Sequence, residues 1–124
     1  MTRLFLSIAF TAVACGAALA GPLDGRWAWD ETICANERGS GDLIPSVFDG
    51  DMIRHYETTC TITKMTPIGT QGSAWEVEMA CVGEGEESAH KSIFAIDRDE
   101  TGEPRQLIEI DREEGFVMVR QPCD

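Results

Sequence analysis

Apolar and polar residues alternate along several short stretches of the chain, and this period of two predicts β-strands with one buried face. The two clearest strands are Met52–Met65 and Trp75–Val82, which flank a loop rich in Pro, Gly and Thr. Four further runs have the same character: Asp24–Asp30, His90–Asp97, Arg105–Asp111 and Phe116–Gln121. A seventh, Leu43–Phe48, is a doubtful strand because Pro45 lacks the backbone N–H that a central strand needs.

The number and spacing of these runs predict the fold class. No stretch has a helical period, and consecutive strands joined by short turns usually pair with their neighbours. We therefore expect an all-β, antiparallel meander of six to seven strands, curled into a small barrel or a sandwich. Residues 21–124 make a single β domain, with a loop over residues 31–42 that carries Cys34.

The register of the central hairpin follows from its apolar positions. If Cys60 lies opposite Cys81, then Ile62 lies opposite Met79, and the apolar side chains and both sulfurs share one face. The same register places Lys64 opposite Val77. Directly opposed residues of an antiparallel pair are ~4.5–5.5 Å apart, a distance that a disulfide can bridge. In the strand Met52–Met65, the alternation of apolar and polar positions is interrupted between Ile53 and Tyr56. This interruption predicts a β-bulge near Glu57 and Thr58.

Residues 1–20 have the three parts of a cleaved export signal. Arg3 supplies the positive charge, Leu4–Ala14 the apolar run, and Ala18–Ala20 the small-x-small cleavage site. The apolar run is too short to anchor the chain across a bilayer. Ala12–Gly16 is an imperfect lipobox, so the alternative to plain cleavage is a lipid anchor on Cys15.

Four cysteines remain after the signal, and an even number in a small exported chain predicts a disulfide framework. Four cysteines allow three pairings. The hairpin register favours Cys60–Cys81, which leaves Cys34–Cys123. A zinc site is the competing use, but no Cys-x-x-Cys or His-x-x-x-His spacing is present.

The chain is strongly acidic, with 22 acidic and 10 basic side chains. Removing the signal removes only Arg3, so the mature net charge is 9 − 22 = −13 with both histidines neutral. Such a charge repels nucleic acid and anionic membranes, and it favours encounter with a basic protein or a cationic ligand.

Two sets of residues are candidates for binding. Glu84, Glu86 and Glu87 lie in a predicted acidic turn over residues 83–88. His55 and Glu57 are two apart and would share a face of a regular strand, where a carboxylate can orient an imidazole base. Neither set is accompanied by a nucleophile motif, and we expect no metal and no cofactor.

Five short segments spread over the whole chain form a recognisable sequence pattern. In chain order they are Gly25–Trp27, Cys34, Tyr56–Cys60, Cys81–Gly85 and Cys123. This pattern resembles that of small exported four-cysteine β-meander proteins of bacteria with no assigned function. The Gly-x-Trp element also resembles the first strand of lipocalin-like barrels, a likeness that implies a tryptophan plugging one end of a barrel.

The function that these observations favour is a periplasmic, non-catalytic binding module for a basic protein or a small ligand, such as an inhibitor of a basic envelope-directed hydrolase. One alternative is a small periplasmic enzyme that uses His55 with Glu57, or His90, together with nearby acids. Another is a lipid-anchored envelope protein with a structural role. A concave site where several polar groups converge is what an enzyme requires, whereas a binding module can use an exposed loop or a flat patch.

Overall fold

A computed structural model describes residues 21–37 and 43–123, so the predicted signal, its cleavage site and Cys15 lie outside the described residues. In this part of the chain, eight antiparallel strands form a closed barrel in which each strand pairs with its neighbours and β1 pairs with β8. The strands are β1 (Gly25–Ala28), β2 (Ser46–Asp49), β3 (Met52–Arg54), β4 (Thr58–Pro67), β5 (Ala74–Gly83), β6 (Glu86–Arg98), β7 (Pro104–Asp111) and β8 (Val117–Cys123).

The all-β antiparallel meander is confirmed, and of the two predicted architectures the barrel is the observed one. The strand count is higher than predicted because Met52–Met65 is two strands, not one. β3 ends at Arg54, and a tight turn follows in which Glu57 has a left-handed φ of 57°. The backbone N–H of His55 donates to the Thr58 carbonyl oxygen across this turn, at 2.8 Å.

The predicted hairpin register is correct up to Ile62. Cys60 lies opposite Cys81 and Ile62 opposite Met79, but the register then shifts, so that Lys64 pairs with Glu78. The predicted pairing of Lys64 with Val77 is therefore wrong. The register shift falls at position 63, and near Glu57 and Thr58, where a β-bulge was predicted, the chain instead makes the β3–β4 turn. The extra residue leaves Lys64 exposed and turns Met65 toward the core, where it packs partly buried.

The first strand is shorter than the predicted run Asp24–Asp30. β1 ends at Ala28, so Trp27 lies inside the barrel and Trp29 lies beyond the strand and is exposed. The indole N–H of Trp27 donates to the Leu23 carbonyl oxygen at 3.0 Å. Part of the predicted loop that follows is a short 3₁₀ helix, Glu31–Ala35, which Asp30 caps.

The barrel interior changes character along its axis. Phe48, Phe94, Val77 and Leu107 are almost fully buried, and the rings of Phe48 and Phe94 meet edge to face with centroids 5.7 Å apart. Other inward-facing side chains are buried but polar, and they come from β6, β7 and β8: Ser92, Glu109, Asp111 and Arg120. We call the end of the barrel that carries the β3–β4, β5–β6 and β7–β8 turns the mouth.

Both predicted disulfides are present. Cys60–Cys81 joins directly opposed residues of β4 and β5, and Cys34–Cys123 ties the 3₁₀ helix to the end of β8. Disulfides of this kind persist in oxidising compartments outside the cytoplasm. Among the residues that the structure describes, none forms a helix long and apolar enough to cross a bilayer.

The Cys34–Cys123 bridge should contribute the larger loop-closure stabilisation, because it spans 89 positions against 21 for Cys60–Cys81. In the chain-entropy model a loop of about 15 residues gives ~3 kcal/mol and one of about 100 residues gives ~4.7 kcal/mol. The double change Cys34→Ser and Cys123→Ser should therefore lower the free energy of unfolding by about 4 kcal/mol, measured by urea unfolding without reductant. The single change Cys34→Ser breaks the same bridge and is the matched control. It should lower the free energy of unfolding by a similar amount. A loss below about 1 kcal/mol would contradict this role.

Candidate functional site

An open chamber of about 390 Å³ lies inside the mouth of the barrel. Its apolar lining comes from aromatic, sulfur-containing and aliphatic side chains, chiefly Trp27, Trp29, Ile44, Tyr56, Cys60, Met79, Cys81, Phe116 and Met118. Its polar lining is Ser46, His55, Thr58, His90, Ser92, Glu109, Asp111 and Arg120. The meander brings these side chains together from distant parts of the chain, because every second turn returns to the same end of the barrel.

A buried ion pair forms one wall of the chamber. Arg120 donates through Nη1 to Oε1 of Glu109 at 3.1 Å, from strands that are neighbours in the sheet. The two residues are diagonal neighbours, since Glu109 pairs with Met118 and Arg120 with Leu107. Each charge supplies the other's partner, and removing one of a buried pair typically costs ~3–5 kcal/mol.

Asp111 is the last residue of β7, and its two carboxylate oxygens have different surroundings. Oδ1 accepts the backbone N–H groups of Glu113 and Glu114, at 2.9 and 2.6 Å, and so shapes the β7–β8 turn. Oδ2 faces Nδ1 of His90 at 4.0 Å, which is longer than a hydrogen bond. The side chain is nevertheless buried beside the chamber.

His55 also lines the chamber, where it is held by a neutral contact. Its Nδ1 lies 2.7 Å from the Ser46 hydroxyl, and its ring meets Phe48 edge to face at a centroid distance of 6.4 Å. Burial, and secondarily the positive charge of Arg120, lowers the pKa of His55 to about 4. The imidazole is therefore uncharged near neutral pH.

The predicted site residues separate into two groups. His55 and His90 line the chamber, whereas Glu57, Glu84, Glu86 and Glu87 are exposed. His55 and Glu57 do not share a strand face, because both lie in the β3–β4 turn, and no hydrogen bond or ion pair joins these two described residues. The predicted His–carboxylate arrangement is thus absent from this turn.

The exposed carboxylates lie together at one part of the mouth. The acidic turn is shorter than predicted: only Glu84 and Gly85 connect β5 to β6, and Glu86 and Glu87 already belong to β6. A Cβ on Gly83 would come within 2.9 Å of the Glu57 carbonyl oxygen, so the β3–β4 and β5–β6 turns are closely packed. We call Glu57, Glu84, Glu86 and Glu87 the acidic rim.

Sequence reasoning did not identify Glu109, Asp111 or Arg120 as site residues. In the run of β7, Ile108 and Ile110 suggest the buried face, but they point outward and Ile110 is exposed. Leu107 has the same parity as Glu109 and Asp111, and it is fully buried. The available signal for an inward-facing carboxylate pair was this leucine, which lies on the same strand face as the two acidic residues. The signal is ambiguous, because alternation alone does not distinguish an inward polar face from an outward one.

Comparison of the chain with protein-family models, curated proteins and solved structures gives no match. Within residues 21–37 and 43–123, no group of three or more His, Cys, Asp or Glu side chains is arranged to hold a metal ion.

His55 should make folding depend on pH. Its pKa is about 4 in the folded protein against 6.5 ordinarily, so below pH 6.5 the unfolded chain binds the proton more readily. The stability that this neutral side chain contributes is complete above that pH and is lost as the pH falls toward 4, by up to ~3 kcal/mol. His55→Asn keeps a polar partner for Ser46 without the titration. The wild-type advantage in free energy of unfolding should therefore shrink between about pH 6.5 and 4; parallel curves for the two proteins would contradict the assignment.

Proposed function

We propose that this protein is a non-catalytic binding module of the periplasm that takes one small amphipathic ligand into the chamber at the mouth of its barrel. The observation that carries the proposal is the chamber itself, open at one end and about 390 Å³ in volume. Pockets for small molecules are typically ~300–1,000 Å³, mostly apolar, with a few polar groups that orient the ligand. A barrel of eight strands has room inside for one such ligand.

The polar groups of the chamber favour binding over catalysis. Ser46 and His55 are the nearest approach to a nucleophile and a base, at 2.7 Å. With a pKa of about 4, however, His55 is a weak base near neutral pH. The positive charge of Arg120 further opposes formation of an imidazolium, whereas in a Ser–His–Asp triad a carboxylate stabilises that cation.

The compartment is inferred from two independent features. Residues 1–20 have the composition of an export signal, and both cysteine pairs of the domain are oxidised. Together they support an exported protein, for which the periplasm is the compartment we propose.

Blocking the chamber should abolish ligand uptake. Met118 lines the chamber and is partly exposed, so Met118→Trp should fill the space without disrupting the core. Val119→Trp is the matched control, since the next residue of β8 is also exposed and does not line the chamber. We expect the wild type and Val119→Trp to bind a neutral dye, N-phenylnaphthylamine, saturably with a blue shift in fluorescence. Met118→Trp should bind it at least about tenfold more weakly, a loss of ~1.4 kcal/mol. No saturable dye binding by the wild type, or an equal loss in both variants, would overturn the proposal; thermal unfolding verifies that each variant is folded.

The acidic rim favours a second candidate, in which a basic protein docks at the mouth and an envelope-directed hydrolase is inhibited. Its four exposed carboxylates come from the β3–β4 turn, the β5–β6 turn and the start of β6, and the two turns pack against each other. Charges at the edge of an interface mainly raise the association rate, and salt screens them over ~8 Å at physiological ionic strength.

The test of this second candidate is charge reversal of the rim. Changing Glu84, Glu86 and Glu87 to Lys should slow association with a basic lysozyme several-fold and flatten its salt dependence, measured by stopped-flow fluorescence. The control carries three equal reversals away from the rim, at the exposed residues Glu31, Glu100 and Glu103. Equal rates for the two triple variants would remove the rim as a docking surface.

A further inference from the structure

The charged groups in the chamber do not balance. Arg120 contributes one positive charge, and Glu109 and Asp111 contribute two negative charges, so these three residues sum to 1 − 2 = −1. Arg120 is paired with Glu109 at 3.1 Å. Among the residues that line the chamber, Asp111 is left with His90 as its ion-pair partner, and that pair is charged only when the imidazole is protonated.

Asp111 has the geometry of an anchor for a positive group. It is 4% exposed, and its Oδ1 is committed to two backbone N–H groups of the β7–β8 turn. Its Oδ2 lies 4.0 Å from His90, without a hydrogen bond to that ring. A buried carboxylate is costly unless a counter-charge accompanies it, and a cation in the chamber would supply that charge.

The opening of the chamber is lined by aromatic rings. Trp29, Tyr56 and Phe116 are 59%, 42% and 43% exposed, and all three line the chamber. The negative face of an aromatic ring attracts cations, most strongly for Trp. Aromatic rings around a buried carboxylate suit an ammonium group that carries apolar substituents.

The exposed side chains around the mouth of the chamber also carry a negative net charge. The acidic rim lies at the mouth, and Glu113 and Glu114 are exposed in the β7–β8 turn at the same end of the barrel. Arg112, in that same turn, is paired with Glu76. Clefts lined by one sign of charge concentrate ligands of the opposite sign.

From these four observations we propose that the ligand of the chamber is an organic cation, an amine or quaternary ammonium with an apolar body, whose charge lies against Asp111. The inference rests on the proposed function and names its ligand class. It assigns Asp111 the role of charge anchor, and Trp29, Tyr56 and Phe116 the role of an aromatic enclosure.

Three probes of similar size test the ligand class: benzyltrimethylammonium, its uncharged carbon isostere neopentylbenzene, and phenylacetate. Each is titrated against the dye-loaded protein at about pH 8, above the ordinary pKa of an imidazole. The cation should displace the dye at least about tenfold more effectively than the isostere, and the anion should be the weakest. Equal displacement by cation and isostere, or preference for the anion, would overturn the cation inference and leave the binding-module proposal standing. Failure of the dye itself to bind would overturn both.

The anchor is tested with an isosteric change. Asp111→Asn retains an oxygen acceptor for the N–H groups of Glu113 and Glu114 but removes the charge. The preference for the cation over the isostere should fall about tenfold, while affinity for the isostere is unchanged. Glu113→Gln is the matched control, because it removes the same charge from an exposed position in the same turn. A preference that survives in Asp111→Asn, or falls equally in Glu113→Gln, would overturn the assignment of Asp111.

A surface variant keeps the inference testable if Asp111→Asn does not fold. Trp29 is largely exposed, so Trp29→Leu should leave the fold intact while replacing an aromatic ring with an aliphatic side chain. The cation preference should fall several-fold in Trp29→Leu and be largely retained in Trp29→Phe. Equal preferences in these two variants would contradict a role for the aromatic face.

Discussion

The pairing of β1 with β8 is the contact on which the rest of this structure depends. Three residue pairs, from Arg26–Cys123 to Ala28–Gln121, join the ends of the meander and leave no open edge. A closed sheet satisfies the backbone hydrogen bonds that an edge strand would leave unpaired, and it is what creates an interior. The Cys34–Cys123 disulfide reinforces the same junction: Arg26 in β1 donates to the Cys34 carbonyl oxygen, and Cys123 ends β8.

Closure gives the barrel two unlike halves. Where Phe48, Phe94 and Leu107 fill the interior, the core is apolar and closely packed. Where Glu109, Asp111 and Arg120 replace apolar side chains, the interior remains open. Inward charges weaken a core unless they are paired, so the Glu109–Arg120 ion pair limits the cost of the open half. Proteins commonly depart from the rule of an apolar interior at functional sites, and this half of the barrel is where the present chain departs from it.

The electrostatics of the chamber connect its stability to the proposed function. Arg120 is the ion-pair partner of Glu109, and its positive charge adds to the effect of burial that keeps His55 neutral. The carboxylate of the chamber without an arginine partner is that of Asp111. Its Oδ1 accepts two backbone N–H groups and so organises the β7–β8 turn. One residue is thus both a turn cap and, in our proposal, the anchor of the ligand, because its two oxygens serve different partners.

The amino-acid pattern by itself determined the antiparallel all-β fold, the pairing of Cys60 with Cys81, and through it the pairing of Cys34 with Cys123. These features depend on the period of two along each strand and on neighbours in the chain, which a sequence displays directly. Closure into a barrel, the break at His55–Glu57 and the shift at Thr63 were decided by the tertiary structure. The tertiary structure also decided the site, because alternation of apolar and polar residues does not indicate which face of β7 points inward. Only the closed sheet brings Glu109, Asp111 and Arg120 into one chamber with His55, since these residues meet across the interior and not along the chain.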